Sequence, residues 1–220
     1  MNKQFAVLGL GSFGWSVAVT LENMGCDVIA VDNNYEKVQE ISDLVSYAVK
    51  ADVSEPEALK SLGSRNLDGV VIAVSENFEA SVMAAMLCKE MGIPKVLVKA
   101  LNRLQGAILE RVGADSVVYP ESDMGSRVAK NLAATEFTDW ISLSSEYSMV
   151  ETAVPSGWAG KSLAELKVRE RYGINVVGLI QGEEVAVALD PHKPLPENGI
   201  LILVGANKVL EKFGSGQRLR

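Results

Sequence analysis

The sequence predicts an α/β fold, in which a Rossmann-like, doubly wound parallel sheet is followed by a small α+β C-terminal lobe. Three features of its 220 residues predict this fold. Short β-branched runs alternate with helical stretches as far as residue 135. The strand segments are almost continuously apolar, as in parallel sheets that helices cover on both faces. After Trp140, strand-like runs outnumber helical ones, so we expect two parts, residues 1–135 and 136–220.

Six strands with intervening helices are expected in the first part, joined by right-handed crossovers. Glycines mark helix ends: Gly25 follows a helix over residues 12–24, and Gly63 and Gly92 end two later ones. In chain order, the predicted strands are FAVLGL, DVIAVD, SYAVKAD, DGVVIAV, KVLVKA and SVVYP. The predicted helices are SFGWSVAVTLENM, NYEKVQEISDL, EPEALKSLG, NFEASVMAAMLCKEMG, RLQGAILERVG and SDMGSRVAKNLAATEF.

The second part is expected to combine five strands with two helices. Gln181 and Gly182 lie between two strand-like runs, which is typical of a hairpin turn. The strand-like segments are WISLS, SMVETAVP, INVVGLI, EEVAVAL and GILILVG, and the helical ones are SLAELKVRERYG and ANKVLEKF. A lobe of about 80 residues is too short to be a catalytic domain of any size.

The composition argues against several classes of protein. The net charge is −7 and the basic residues are scattered, which argues against nucleic acid as a partner. Cys26 and Cys88 have no Cys or His at ligand spacing and are expected to be buried thiols. The longest apolar runs are too short to span a bilayer, and the first residues do not form a signal peptide. We therefore expect a cytoplasmic protein.

A glycine-rich loop lies between the first strand and the first helix. Gly9, Gly11 and Gly14 form G-x-G-x-x-G, and Asp32 ends the next strand 18 residues after Gly14. This is the pattern of a dinucleotide-binding turn. Gly9 permits the tight turn, Gly11 lets a phosphate approach the backbone, and Gly14 lets the helix pack on the strand. The helix amides would then bind the phosphate, and Asp32 would accept hydrogen bonds from a ribose.

A second acidic residue follows the third predicted strand. Asp52, in KADVSEPE, is a candidate for the adenine edge of a nucleotide. Alternatively, Asp52 is an N-cap for the helix that begins near Glu55. The segment AVSEN follows the fourth strand, and it should lie at the carboxyl edge of the sheet, where ligands bind.

The sequence offers no obvious proton donor for a dehydrogenase. His192 is the only histidine and lies in a proline-rich loop of the C-terminal lobe, and no tyrosine has a lysine four residues later. We therefore favour a nucleotide sensor over an enzyme. Two alternatives stay open, namely an NAD-dependent oxidoreductase of unknown substrate and a structural adaptor that binds no ligand.

Several longer runs together point to one family. They are KQFAVLGLGSFGWSV, VIAVDNNYEKV, GVVIAVSENFEAS, VKALNRLQGAILERVGAD, YPESDMGSRVA and VRERYGINVVGL. With these runs the chain resembles the Ktr/Trk family of potassium-uptake regulators, of the KtrA type, whose unit is the RCK (regulator of conductance of potassium) domain. The resemblance covers nearly the whole chain. It is carried most specifically by the segment from VGAD to DMG, which ordinary dehydrogenases lack.

The resemblance implies a regulatory protein rather than an enzyme. It implies a nucleotide-binding N-lobe, a crossover helix and a small C-lobe. Two chains would pair through their N-lobes, and the homodimers would assemble into an octameric ring. That ring would dock on a membrane potassium-translocating subunit, peripheral to the inner face of the membrane. The identity of the bound adenine nucleotide would change the shape of the ring and so gate the flow of potassium.

The resemblance also implies the positions of a binding site. They are Gly9, Gly11, Ser12, Phe13 and Gly14 in the glycine loop, Asp32 and Asn33 at the ribose, Asp52 and Val53 at the adenine, Val74 and Ser75 after the fourth strand, and Lys99, Gln105 and Glu121 on the phosphate side. Glu121 matches a carboxylate that reaches a cation, divalent or sodium, shared with phosphates across the dimer. Alternatively, Lys99 is a surface lysine at a strand end, and Glu121 only favours a helix dipole.

One position departs from the family pattern. Ser12 stands where ATP-responsive relatives often carry an arginine that contacts the terminal phosphate. A serine offers no charged, bidentate contact. ADP, AMP or NAD(H) therefore become more plausible ligands, beside ATP, than in a typical member of the family.

The C-lobe carries a second candidate site by the same resemblance. Arg169 and Asn175, in VRERYGIN, match a pattern that binds cyclic di-AMP, and Ile174 is expected to pack against a base. The alternative is a structural strand edge with a solvated arginine.

Overall fold

A computed structural model describes residues 2–63, 66–74, 77–133 and 137–214. The chain divides into two compact units, Met1–Ser122 and Asp123–Arg220. The boundary that the sequence predicts, between residues 135 and 136, falls outside the described residues. Among the described residues, no helix combines the length and the apolar character that crossing a bilayer requires.

The first unit contains a six-stranded sheet and its crossover helices. The order is β3-β2-β1-β4-β5-β6, and all neighbouring strands run parallel. The predicted doubly wound parallel sheet is therefore confirmed. Its elements are β1 (Gln4–Leu8), α1 (Ser12–Asn23), β2 (Asp27–Asp32), α2 (Tyr35–Ile41), β3 (Tyr47–Lys50), α3 (Pro56–Gly63), β4 (Gly69–Ile72), α4 (Phe78–Glu90), β5 (Val96–Lys99), α5 (Arg103–Arg111), β6 (Ser116–Val118) and α6 (Pro120–Ala133), which continues into the second unit.

The central strands are buried on both faces, which explains their apolar runs. In β1, Ala6 and Leu8 belong to one core cluster, whereas Val7 belongs to the cluster on the opposite face. Cys88 is buried in the first of these clusters, and burial raises the pKa of its thiol to about 12. Cys26 is only half-buried, so the expectation of two buried thiols holds fully for Cys88 alone.

Three of the crossover helices begin with an asparagine cap. The side chains of Asn34, Asn77 and Asn102 accept hydrogen bonds from the first turns of α2, α4 and α5, at 2.9, 3.1 and 2.9 Å. Helix α1 differs, because its N-cap is Gly11 and no side chain of the described residues caps it. The first amides of α1 are thus left for another acceptor.

The second unit is an antiparallel sheet with short helices. Its strand order is β10-β9-β11-β8-β7, and its core includes Trp140, Trp158 and the fully buried Leu201 and Leu203. The predicted hairpin joins β9 to β10, with Gly182 at φ +61° in its turn. The elements are β7 (Phe137–Ser142), β8 (Tyr147–Ala153), α7 (Leu163–Leu166), α8 (Val168–Tyr172), β9 (Asn175–Gln181), β10 (Glu184–Ala186), β11 (Ile200–Ala206) and α9 (Asn207–Gly214).

Two expectations for the elements of this unit are wrong. The helix predicted over SLAELKVRERYG is broken at Lys167, which has a left-handed φ of 49°. Leu166 and Val168 are both buried in the same core, and two residues two apart in one helix face different ways. The break lets both reach the core. The helix predicted to include Phe137 cannot do so, because Phe137 begins β7; α6 is described as far as Ala133.

Candidate functional site

A cleft of about 280 Å³ lies at the carboxyl ends of β1 to β4. The strand order reverses between β1 and β4, and such switch points are where open α/β sheets bind ligands. The residues that line the cleft come from the ends of these strands, from the turns that follow them and from the first turns of α2 and α4. They are Gly9, Gly11, Asp32, Asn33, Lys37, Ala51, Asp52, Val53, Ser54, Ala73, Val74, Asn77 and Ala80.

The glycine loop is fixed by close backbone contacts. Gly9 has a φ of +94°, and its amide donates to the carbonyl of Val31 at 2.7 Å. A Cβ on Gly14 would lie 1.9 Å from the Gly9 carbonyl oxygen, so only glycine fits there. A Cβ on Gly11 would meet none of the described atoms within 4 Å. Gly9 and Gly14 therefore shape the turn, and Gly11 leaves open space beside the cleft.

The side chains of Ser12 and Phe13 do not line the cleft. Ser12 is exposed and Phe13 is half-buried, and both lie in the first turn of α1 with Gly14. What this turn offers is its backbone, because its amides have no side-chain cap among the described residues. Uncapped amides at the positive end of a helix form a favourable place for a phosphate.

Asp32 is the most enclosed carboxylate of the cleft. Its side chain is 9% exposed, and one oxygen, Oδ2, accepts the Leu10 amide at 2.6 Å. The other, Oδ1, accepts the Asn34 amide at 2.8 Å, and the Lys37 ammonium lies 3.8 Å from Oδ2. A carboxylate has about four acceptor positions, so lone pairs stay available for ribose hydroxyls.

Asp52 is held by its own turn. Its Oδ1 accepts from the hydroxyl and the amide of Ser54, at 2.6 and 2.9 Å. These bonds hold the pKa of the Asp52 carboxyl below its usual range. Helix α3 begins later, at Pro56, so the alternative that Asp52 is its N-cap is wrong. Val53 is buried and gives the cleft an apolar wall beside Asp52.

Val74, which follows β4, is also a lining residue of the cleft. Val74 lies next to the glycine loop, since its Cγ2 is 3.1 Å from a Cβ built on Gly9. The buried hydroxyl of Ser81 donates to the Val74 carbonyl at 2.7 Å, which ties the turn to α4. Ser75, also predicted to contact a nucleotide, lies outside the described residues.

Three predicted residues lie apart from this cleft. Lys99, at the end of β5, forms an ion pair with Glu121 in the first turn of α6. Lys99 is not a surface lysine, because its side chain is 9% exposed, whereas that of Glu121 is 63% exposed. The hydrogen bond from Lys99 lowers the pKa of Glu121. Gln105 accepts the Leu101 amide through Oε1 at 3.1 Å.

The described residues contain no group of three or more acidic, Cys or His side chains close enough to hold a metal. The role of Glu121 at a cation stays a prediction. Its position in the first turn of α6 also fits the alternative, in which it only favours the helix dipole.

The C-lobe candidates divide between surface and core. Arg169 on α8 and Asn175 at the start of β9 are exposed. Ile174 is fully buried in the core of the lobe, so its side chain has no surface to offer a base. The expectation of an Ile174–base contact therefore does not fit this structure.

Six lining residues were not named as site residues from the sequence, although two of them, Ala73 and Asn77, lie in the AVSEN segment expected at this edge. The six are Lys37, Ala51, Ser54, Ala73, Asn77 and Ala80. The sequence does contain a signal for Asn77 and for Lys37. Asn34 and Asn77 are typical helix N-caps, and a cap at Asn34 puts Lys37 in the first turn of α2, beside the end of β2. Nothing in the sequence marks Ser54 or Ala80 in this way.

Comparison with known proteins identifies the family. The TrkA-N domain family matches residues 5–120, and the TrkA-C domain family matches residues 148–215. The Ktr system potassium uptake protein C of Bacillus subtilis (strain 168) is 38% identical over 213 residues, which cover 97% of this chain and 96% of that protein. The chain belongs to the Ktr/Trk family of potassium uptake proteins.

Other members and structures extend the comparison. The Ktr system potassium uptake protein A of the same organism is also 38% identical, and the match covers 96% of each chain. The structure of the GsuK channel bound to NAD has a TM-score of 0.67 and 15% identity, and the match covers all of this chain and 40% of that one. At this identity the likeness shows a shared fold. The expected parallel sheet followed by a small α+β lobe is the fold that this chain shares with that structure.

Proposed function

We propose that this chain is the nucleotide-sensing regulatory subunit of a potassium-uptake system. An adenine nucleotide binds in the cleft of the first unit, changes the conformation of the assembled protein and thereby gates potassium flow through a membrane subunit. The observation that carries the proposal is the convergence of three features in one cleft: the uncapped first turn of α1, the open space at Gly11 and the enclosed carboxylate of Asp32. The potassium-uptake role comes from the named relatives.

Each part of a nucleotide has a complementary surface in this cleft. The first-turn amides of α1 suit the phosphates, and Asp32 suits the ribose hydroxyls. Val53 offers an apolar surface to the adenine, with Asp52 and Ser54 at its polar edge. Ser12 adds no charge at the phosphates, and Lys37 is the lysine among the described lining residues. ATP, ADP, AMP and NAD(H) are therefore all candidates.

Gating requires that a nucleotide distinguish two conformations. A ligand shifts an equilibrium only by the difference between its binding free energies for the two states. Converting a minor state into the dominant one takes a difference of roughly 5.5 kcal/mol. In a ring, each bound copy contributes its own difference in affinity, so several copies together can supply the free energy that gating needs. We therefore propose that the chain forms homodimers, and that these form an octameric ring on the inner face of the membrane, docked on a potassium-translocating subunit.

The surface of α6 supports self-association. The described chain buries no residue of this 14-residue helix. Met124, Val128 and Leu132 are 55%, 47% and 83% exposed, and they recur every four residues along one side. An apolar stripe of this kind is stabilised when a second helix covers it. A second copy of the same chain would supply that helix.

Two further ligands belong to the proposal. A divalent cation or sodium would bind at Glu121 together with nucleotide phosphates of the partner chain, and it would compete with Lys99 for the carboxylate. Cyclic di-AMP would bind the C-lobe through Arg169 and Asn175, which are exposed. Ile174 is left out of this second site because it is fully buried.

Calorimetric titration of the purified chain tests the proposal. ATP, ADP, AMP, NADH and cyclic di-AMP are titrated in separate experiments, each with and without Mg²⁺. We expect at least one adenine nucleotide to bind at submillimolar concentration. The absence of all such binding would remove the sensor function and favour the structural adaptor.

A turnover screen separates the sensor from the oxidoreductase. The nicotinamide absorbance of NADH is followed with a panel of carbonyl substrates, and NAD with a panel of alcohols. We expect no turnover, since the single histidine, His192, lies in the second unit. Steady oxidation of NADH by one substrate class would establish the alternative.

A further inference from the structure

The Asp32 carboxylate joins two turns of the backbone. Its Oδ2 accepts the amide of Leu10, 22 residues earlier in the chain, and its Oδ1 accepts the amide of Asn34. Leu10 lies between Gly9 and Gly11 of the glycine loop. The contact is buried, and at 2.6 Å it is short for a bond between an amide and an oxygen. A charged acceptor strengthens such a bond.

The Leu10 amide lies where regular structure supplies no acceptor. The amide of Gly9 still bonds to β2, through the Val31 carbonyl, but β1 has already ended at Leu8. The helical bonds of α1 begin only further on, with the Trp15 amide donating to the Gly11 carbonyl. Leu10 itself is 3% exposed, and a buried amide without a partner is costly. The Asp32 carboxylate is the acceptor for this amide.

We infer that Asp32 is a positioning residue for the phosphate-binding loop, in addition to any contact it makes with a ribose. By holding the Leu10 amide, Asp32 fixes the peptide that leads into Gly11 and the open first turn of α1. The inference rests on the proposed function, because it assumes that this turn binds phosphate. It leads to a prediction that a ribose contact alone does not make: loss of Asp32 should weaken the binding of a nucleotide that has no ribose hydroxyls.

A matched carboxylate exists at the other end of the same strand. Asp68 Oδ2 accepts the amide of Gln4, the first residue of β1, at 2.8 Å. Asp68→Ala therefore removes a carboxylate–amide bond at the start of β1, whereas Asp32→Ala removes one just beyond its end, in the glycine loop. The comparison separates a general loss of support for β1 from a specific loss at the loop.

The experiment measures two quantities in the full chain, as wild type, Asp32→Ala, Asp32→Asn and Asp68→Ala. The first is the hydrogen exchange rate of the Leu10 amide without ligand, resolved by NMR. The second is the affinity for ADP and for 2′,3′-dideoxy-ADP, which lacks both ribose hydroxyls. Thermal unfolding confirms that each variant is folded, and Asp32→Asn, which keeps one oxygen acceptor, serves if Asp32→Ala does not fold.

We expect Asp32→Ala to accelerate Leu10 exchange and to weaken dideoxy-ADP binding, each by roughly ten- to a hundredfold, the range for a lost bond to a charged group. Asp68→Ala should change neither. If dideoxy-ADP affinity is the same in wild type and Asp32→Ala, Asp32 is a ribose ligand alone and the inference is overturned, whatever the exchange rate. If wild type binds neither nucleotide, the proposed function fails, and the Leu10 exchange rate alone then decides whether Asp32 holds the loop.

Discussion

Gly11 and Gly14 lie three residues apart, yet a methyl group would meet different surroundings at each. At Gly14 the added carbon would lie 1.9 Å from the Gly9 carbonyl oxygen, a backbone atom that cannot move aside. We expect Gly14→Ala to lower the free energy of unfolding by about 2 to 3 kcal/mol, as overpacking does. Thermal and urea unfolding of the two proteins measure this loss.

Gly11→Ala is the matched control. Gly11 has an ordinary φ of −71°, and the added carbon would meet none of the described atoms within 4 Å. We expect its stability to stay within about 0.5 kcal/mol of wild type. Nucleotide affinity should nevertheless fall, because the methyl group would occupy the space through which a phosphate approaches. Equal stability of the two variants would contradict the different roles given to these glycines.

Among the structural elements, α6 and β7 are joined by a charged pair within the second unit. The guanidinium of Arg127 donates to Asp139, whose Oδ1 also accepts from Asn131 at 2.9 Å and from the Trp140 amide at 2.8 Å. The hydrogen bond from Arg127 is the largest cause that lowers the pKa of the Asp139 carboxyl from its ordinary 3.8. Folding therefore favours the ionised form of Asp139.

This lowered pKa makes the stability of the second unit depend on pH. Because the folded pKa lies below the unfolded one, the contribution is fully present above about pH 4. It is lost as the pH falls through the folded pKa. The Arg127 side chain is 41% exposed, so solvent screening keeps this contribution small. Urea unfolding of wild type and Asp139→Asn at about pH 6 and pH 2.5 tests this, and an equal pH dependence of both proteins would contradict it.

The elements that the sequence predicts correctly are those whose signal is local. Apolar runs and glycines predict all six parallel strands and the glycine loop. For the central strands this is because a strand buried on both faces is apolar along its length and needs no information from distant residues. Lys167 shows where a local signal is not enough to predict the structure. The pattern around it is helical, and the left-handed turn there follows from the need to bury both Leu166 and Val168 in a core that later strands complete.

The same limit applies to the candidate site. Asp32 ends β2, and Asp52 and Val74 come two residues after β3 and β4, so the topology alone brings them to one edge of the sheet. Lys99 and Glu121 also follow neighbouring strands at that edge, but they pair with each other instead of lining the cleft. A preference between two partners depends on side-chain packing, and the spacing of residues in a sequence carries no information about it.

At the scale of the whole molecule, the proposed homodimers and ring require a surface through which copies of the chain contact each other. The exposed stripe of Met124, Val128 and Leu132 on α6 fits contact with a second copy. Exposed apolar side chains in such a row mark interaction surfaces.

We therefore expect the wild-type chain to form homo-oligomers, and Val128→Asp to reduce their size. A carboxylate in the middle of an apolar helix interface loses its hydration without gaining a partner, which costs several kcal/mol per contact. Ser126→Asp, at an exposed polar position on the same helix, should leave the oligomer intact. Size-exclusion chromatography with light scattering gives the masses, and circular dichroism confirms that both variants are folded. A monomeric wild type, or identical masses for the two variants, would show that α6 does not join the copies.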